Sequence, residues 1–195
     1  MKRKRVGILI SGRGSNMAAL VEAARDPAYP AEIVCVISNR PEAPGLKFAQ
    51  DRNIPTHIID NKNFGTREAF DASLNDYLQS QKLDLIACAG FMRIMTSVLL
   101  EPWAGKMINI HPSLLPLYKG THTHERALAD GVKVHGCSVH YVTEELDGGP
   151  VIAQSEVPVL AGDTPETLSA RVLVEEHKLY PKALAMVAKK ISQTL

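Results

Sequence analysis

In Asn109-Ile110-His111 a carboxamide and an imidazole stand two residues apart, at the end of an apolar run that includes Met107, Ile108 and Ile110. Alternate side chains of a strand share a face, so the two polar groups project to the same side. An amide N–H and a protonatable ring presented together suit acid chemistry on a carbonyl, where negative charge develops on oxygen. Pro112 and Pro116 stop the segment from continuing as strand or helix, which leaves the pair at a strand exit. A carboxylate to orient and charge such a histidine is available in Asp147-Gly148-Gly149-Pro150. An isolated Asn-x-His more often marks a strand end whose histidine is simply hydrogen-bonded, so the weight rests on the neighbouring motifs.

Ser11-Gly12-Arg13-Gly14-Ser15-Asn16 lies between an apolar run and a helix-spaced series, Met17, Leu20, Val21 and Ala24. Backbone N–H groups at such a helix start favour an anion, with the helix dipole behind them. The third glycine of Gly-x-Gly-x-x-Gly is missing, as is Gly-Lys-Ser/Thr, so an isolated monophosphate fits better than a dinucleotide. A turn that needs glycine for backbone reasons alone is the plain alternative. Ala89-Gly90-Phe91-Met92-Arg93-Ile94-Met95 carries one arginine among apolar residues and reads either as the lining of a cleft for a flat ligand or as an ordinary connection. Glu175-Glu176-His177 falls within the last helix, where acidic side chains face solvent by default. His122 and His124 have a metal-like spacing, but no His-Glu-x-x-His or cysteine pair accompanies them, and no metal is expected.

The elements that must position these groups alternate. Apolar strands are expected at residues 5–10, 33–37, 56–59, 83–89 and 107–111. Between them fall helices after Asn16, at about 45–53, after Thr66 as a capping residue, and around 96–101. This pattern predicts an α/β fold, an open and mostly parallel sheet with helices on both faces. Ligands of such sheets bind beyond the carboxyl ends of the strands, where the Gly12 turn, Gly90 and His111 fall. Residues 132–142 and 151–159 then predict two strands joined by the Asp147 loop, a smaller antiparallel-containing C-terminal region. Thr164-Pro165-Glu166 opens a long closing helix through Val172, Leu179, Leu184 and Val187.

At 195 residues one domain is expected, with 1–111 as the phosphate-binding half and 112–195 as the half carrying the second ligand cleft and the catalytic loop. The 22 Lys and Arg against 21 Asp and Glu leave a net charge of +1, so no global field selects nucleic acid or an anionic membrane. The basic run Lys2, Arg3, Lys4, Arg5 reads as a solvated strand entry. With no signal peptide and no apolar run approaching the roughly 18 residues of a membrane span, a cytoplasmic location is expected. Cys35, Cys88 and Cys137 read as buried thiols.

In order along the chain, Ile-Ser-Gly-Arg-Gly-Ser-Asn at 10–16, Ala-Gly-Phe-Met-Arg-Ile at 89–94, Asn-Ile-His-Pro-Ser-Leu-Leu-Pro at 109–116, Gly136-x-Ser138-Val139-His140 and Glu145-Leu146-Asp147-Gly148-Gly149-Pro150 resemble the folate-dependent glycinamide ribonucleotide formyltransferases of purine synthesis. The resemblance implies a Rossmann-like fold and transfer of the formyl group of 10-formyltetrahydrofolate, as co-substrate and without metal, to the amine of glycinamide ribonucleotide. It further implies Asn109, His111 and Asp147 as catalytic residues, with His111 as an imidazolium whose proton Asp147 helps to hold. Gly14, Ser15, Asn16 and Glu176 would bind the ribonucleotide, which sets aside the solvent-facing reading of Glu176. Arg67, Met92, Arg93, Ile94, Met95, Asn109, Thr143, Glu144, Glu145, Leu146 and Asp147 would line the folate cleft. The partners implied are small molecules, with the enzyme a monomer or homodimer. Arg13 and Leu117-Tyr118-Lys119-Gly120 depart from the usual pattern, and His122, His140 and Lys119 receive no role.

Relatives sharing the Asn, His and Asp core include methionyl-tRNA formyltransferase and formyltetrahydrofolate deformylase. The first is expected to bring a further C-terminal domain and a basic surface, the second an N-terminal regulatory domain. A passive folate- or nucleotide-binding module is the non-enzymatic alternative.

Overall fold

The computed structural model describes residues 2–193. Its strands are β1 (Lys4–Ile10), β2 (Ala31–Ser38), β3 (Thr56–Ile58), β4 (Leu85–Cys88), β5 (Met107–His111), β6 (Val134–Tyr141) and β7 (Val151–Pro158). The helices are α1 (Ser15–Ala23), α2 (Pro44–Gln50), α3 (Arg67–Ser80), α4 (Ser97–Leu100), α5 (Thr123–Ala129) and α6 (Pro165–Gln193). All seven strands form one sheet in the order β3-β2-β1-β4-β5-β6-β7. Strands β1 to β5 run parallel, and β6 and β7 add antiparallel to the β5 edge. The antiparallel-containing C-terminal region expected from the sequence is present, and it continues the same sheet.

Alternation along β1 shows how both faces are filled. Ile8 and Ile10 enter one buried cluster with residues of α1, α2 and α6, while Leu9 enters the other with Phe70, Leu74 and Leu78 of α3. A parallel sheet covered on both sides needs this near-continuous apolar run. Thr66 Oγ1 accepts from Ala69 N at 3.2 Å and Thr164 Oγ1 from Thr167 N at 3.3 Å, so both expected caps form. The three cysteines are buried and unpaired with one another. The basic run is less solvated than expected: Arg3 donates to the Ala24 and Ala31 carbonyls, and Arg5 to those of Gln81 and Lys82. Helix α5 and a 3-10 turn at Asn61–Asn63 were not anticipated.

The chain winds outward from β1 to β3 and then returns to place β4 on the other side of β1. At that reversal the loops leaving β1 and β4 diverge and open a crevice beyond the strand ends. Ser11 N donates to Gly90 O at 3.0 Å across its floor.

Candidate active site

Strand register brings the acid groups together. Asn109 of β5 lies opposite His140 of β6, and His111 opposite Ser138. Ile108 and Ile110 point into the α6-side core and Met107 into the other, so Asn109 and His111 share the α3-side face. The loop between β6 and β7 delivers Asp147 in a left-handed conformation, φ 50°, which an aspartate tolerates better than most residues. Its turn needs glycine: a Cβ at Gly149 would overlap the Tyr141 carbonyl oxygen. Asp147 Oδ2 then lies 3.4 Å from His111 Nδ1 and accepts from Gly120 N at 2.9 Å, while Oδ1 lies 3.6 Å from His140 Nε2.

His111 is 5 % exposed, and its Nε2 meets the Tyr118 carbonyl at 2.9 Å. Both ring nitrogens thus face acceptors. Burial nonetheless pushes its pKa below the usual 6.5, outweighing the Tyr118 carbonyl and Asp147, which act in the opposite direction. Asp147 thus faces the ring on the side that favours a proton there, while burial opposes it. Asp147 itself is held below the usual carboxylate range: burial raises its pKa, but His140, the Gly120 N–H and the nearby His111 together lower it further. His140 Nδ1 faces the Tyr141 carbonyl at 2.9 Å and so carries a hydrogen. Its Nε2 sits 3.3 Å from Asn109 Nδ2 and accepts from that amide when the ring is neutral.

A second cluster forms where α1 starts. Gly14 takes φ 70° to turn the chain, and α1 opens at Ser15 with no side-chain cap, leaving its first N–H groups without a side-chain acceptor. Asn16 Nδ2 donates to Glu176 Oε2 of α6 at 2.6 Å, and Asn16 Oδ1 is buried with no partner among the described residues. Glu176 is 6 % exposed, and burial raises its pKa although the Asn16 bond lowers it. The default reading of Glu176 as surface is corrected: it lies on the buried stripe of α6 with Val172, Tyr180 and Ala183. Its neighbour Glu175 is partly exposed and pairs with Lys178.

The other residues expected to line a folate cleft fall in the loop after β4, at the start of α3 and in the loop between β6 and β7. Met92 and Ile94 are exposed, and the Arg93 guanidinium stacks 4.3 Å over Phe70, one turn into the helix that Arg67 begins. Thr143, Glu144, Glu145 and Leu146 are exposed in the Asp147 loop, with Glu145 Oε1 2.6 Å from Lys119 Nζ. Arg67, also exposed, forms no hydrogen bond or ion pair with those side chains among the described residues, and His122 lies outside the cluster, beside Glu125. Sequence reasoning left His140 unassigned and missed Gly120 N and the Tyr118 carbonyl. The antiparallel register opposite Asn109 would have found the first, whereas backbone groups leave no side-chain signal. Among the described residues no trio of His, Cys, Asp or Glu is arranged to hold a metal, and no helix is long and apolar enough to cross a membrane.

Comparison with known proteins points one way. The formyl transferase family model matches residues 4–184. The phosphoribosylglycinamide formyltransferase of Escherichia coli is 44% identical over 181 residues, covering 93% of this chain and 85% of that protein. A crystal structure of phosphoribosylglycinamide formyltransferase from Brucella melitensis superposes with a TM-score of 0.92 at 52% identity, covering 96% of each chain. The trifunctional purine biosynthetic protein adenosine-3 of Bos taurus is 49% identical over 187 residues, 96% of this chain but only 18% of its own length.

Proposed function

We propose that this chain, which belongs to the formyl transferase family, transfers the formyl group of 10-formyltetrahydrofolate to the amine of glycinamide ribonucleotide, giving the N-formyl product and tetrahydrofolate. The observation that carries the reading is the meeting of Asn109, His111, His140 and Asp147 at the β5 exit, beside a helix start suited to phosphate.

In this reaction the amine lone pair forms a bond to the formyl carbon and the carbonyl π pair moves onto oxygen. The amine nitrogen then sheds a proton, and the folate nitrogen takes one as its bond to carbon breaks. Asn109 supplies an amide N–H to the oxyanion, a donor already fixed across the strand pair. His111 supplies the second, through the nitrogen that the Tyr118 carbonyl now occupies. A developing negative charge raises the proton affinity of that ring, so the imidazolium is favoured as the tetrahedral intermediate forms. Asp147 keeps the opposite ring nitrogen oriented and stands ready to relay the amine proton through water. Gly14, Ser15 and Asn16 hold the phosphate, with Glu176 and the free Asn16 Oδ1 meeting the glycinamide end. Residues 92–95, Arg67 and 143–147 line the folate.

Purified protein mixed with both substrates should release tetrahydrofolate, read by absorbance, only when both are present. Formate release without the amine would move the assignment to deformylation. Binding without turnover would reduce the protein to a passive module.

A further inference from the structure

Between Gly90 and Thr96 the chain crosses the crevice without regular structure, yet it is the stretch whose position decides what the cleft can read. The N–H and C=O groups of Ile94 and Met95 have no hydrogen-bond partner among the described residues. An unpaired backbone edge flanked by the exposed side chains of Met92 and Ile94 suits the polar rim of a flat heterocycle. Such an edge is useful only if it is held still, because a misplacement of about 1 Å is enough to cost binding and rate.

Two buried side chains hold its ends. Ser11 Oγ accepts from Met92 N at 2.8 Å and is itself fixed by donating to Asn39 Oδ1 at 2.6 Å, both residues being buried. At the far end Asp71, fully buried in α3, takes Thr96 N at 2.6 Å and Thr96 Oγ1 at 2.8 Å on a single oxygen, Oδ2. Its other oxygen, Oδ1, is buried without a partner among the described residues. A half-satisfied buried carboxyl is costly, and capping the four-residue α4 does not require one, since the Thr96 N–H could reach water at a surface helix end. Short bonds to a carboxylate are stronger and stiffer than those to a neutral acceptor.

We infer that Asp71 is a positioning residue for folate: it touches no ligand, and by clamping Thr96 to α3 it fixes residues 92–95 as the edge against which the heterocycle is read. The inference rests on the formyl-transfer reading, and active wild-type protein is the control for that reading.

Steady-state constants for Asp71→Ala, Asp71→Asn and Thr96→Val test it. Asp71→Ala should raise the KM for 10-formyltetrahydrofolate about tenfold or more, with ribonucleotide KM and kcat within about threefold of wild type. Asp71→Asn keeps an oxygen that accepts both Thr96 bonds and should restore the folate KM to within about threefold. Thr96→Val removes one of the two bonds and should raise the folate KM about threefold, leaving the ribonucleotide KM unchanged. Should Asp71→Ala fail to fold, Thr96→Val decides. A folate KM unchanged in the folded variants, or equal losses for both substrates, would overturn the inference. Wild-type protein that transfers no formyl group would instead overturn the functional reading.

Discussion

The two ends of the crevice are built by different means. At the α1 end the proposed anion site is local: one left-handed glycine and the two residues after it, at the start of a helix. At the β5 end the acid cluster draws Asn109 and His111 from one strand, His140 from its antiparallel neighbour, Asp147 from the following loop and Gly120 N from another. Binding charge at a helix start needs only backbone geometry. Placing a carboxylate against a buried imidazole needs three segments in register, and a small displacement undoes it. Substitutions at the α1 end should therefore weaken substrate binding, and those at the β5 end should stop the chemistry.

The largest effect is expected at the β5 end. Asp147→Asn keeps the size of the side chain but removes its charge, and should lower kcat by roughly 100- to 1,000-fold in a formyl-transfer assay, with little change in thermal midpoint. At the α1 end Glu176→Gln should raise the ribonucleotide KM about tenfold while leaving the folate KM unchanged, because the buried carboxyl is replaced by an isosteric amide. Equal losses in kcat at both positions would erase the distinction between the ends.

Left-handed backbone occurs at both ends, at Asp147 in one and at Gly14 in the other. At Gly14, φ 70° is poorly suited to a side chain, and an added Cβ would stand 2.8 Å from Met17 Cε and 3.3 Å from Gly45 Cα. Gly14→Ala should cost about 1–2 kcal/mol of stability, seen as a lower thermal midpoint together with weaker ribonucleotide binding. A further effect concerns acid. Burial lowers the pKa of His111, of His124 and of His135, the last to about 4, so each prefers to be neutral when folded. Groups whose pKa is depressed on folding stabilise above their unfolded pKa, about 6.5 for histidine, and lose that contribution as pH falls through the folded value. The thermal midpoint should decline between about pH 6.5 and 4, and His135→Gln should flatten the decline.

The same contrast explains what the sequence reveals. Strands rich in Ile, Val and Leu, the Thr66 cap and the Thr164-Pro165 start are local signals and appear where expected. The Asn109 and His111 pairing is legible because a strand has period two. Glu176 was legible in part: Val172 and Tyr180, each one turn away, already mark its side of α6 as buried, but an acidic residue reads as solvated until a partner such as Asn16 is known. Helix α5 escaped notice because its start rests on His122 at φ 57°, with no side-chain cap to announce it. Asp71 and the Tyr118 carbonyl act through tertiary contacts that no spacing encodes.

In the proposed reaction His111 and Asp147 act as one unit on the formyl carbonyl. Single-turnover formyl transfer by His111→Ala, Asp147→Asn and the double variant tests it most directly. Within one unit, the double variant should be no more than about threefold slower than the worse single variant. Losses that multiply would show two independent contributions and rule out a single unit.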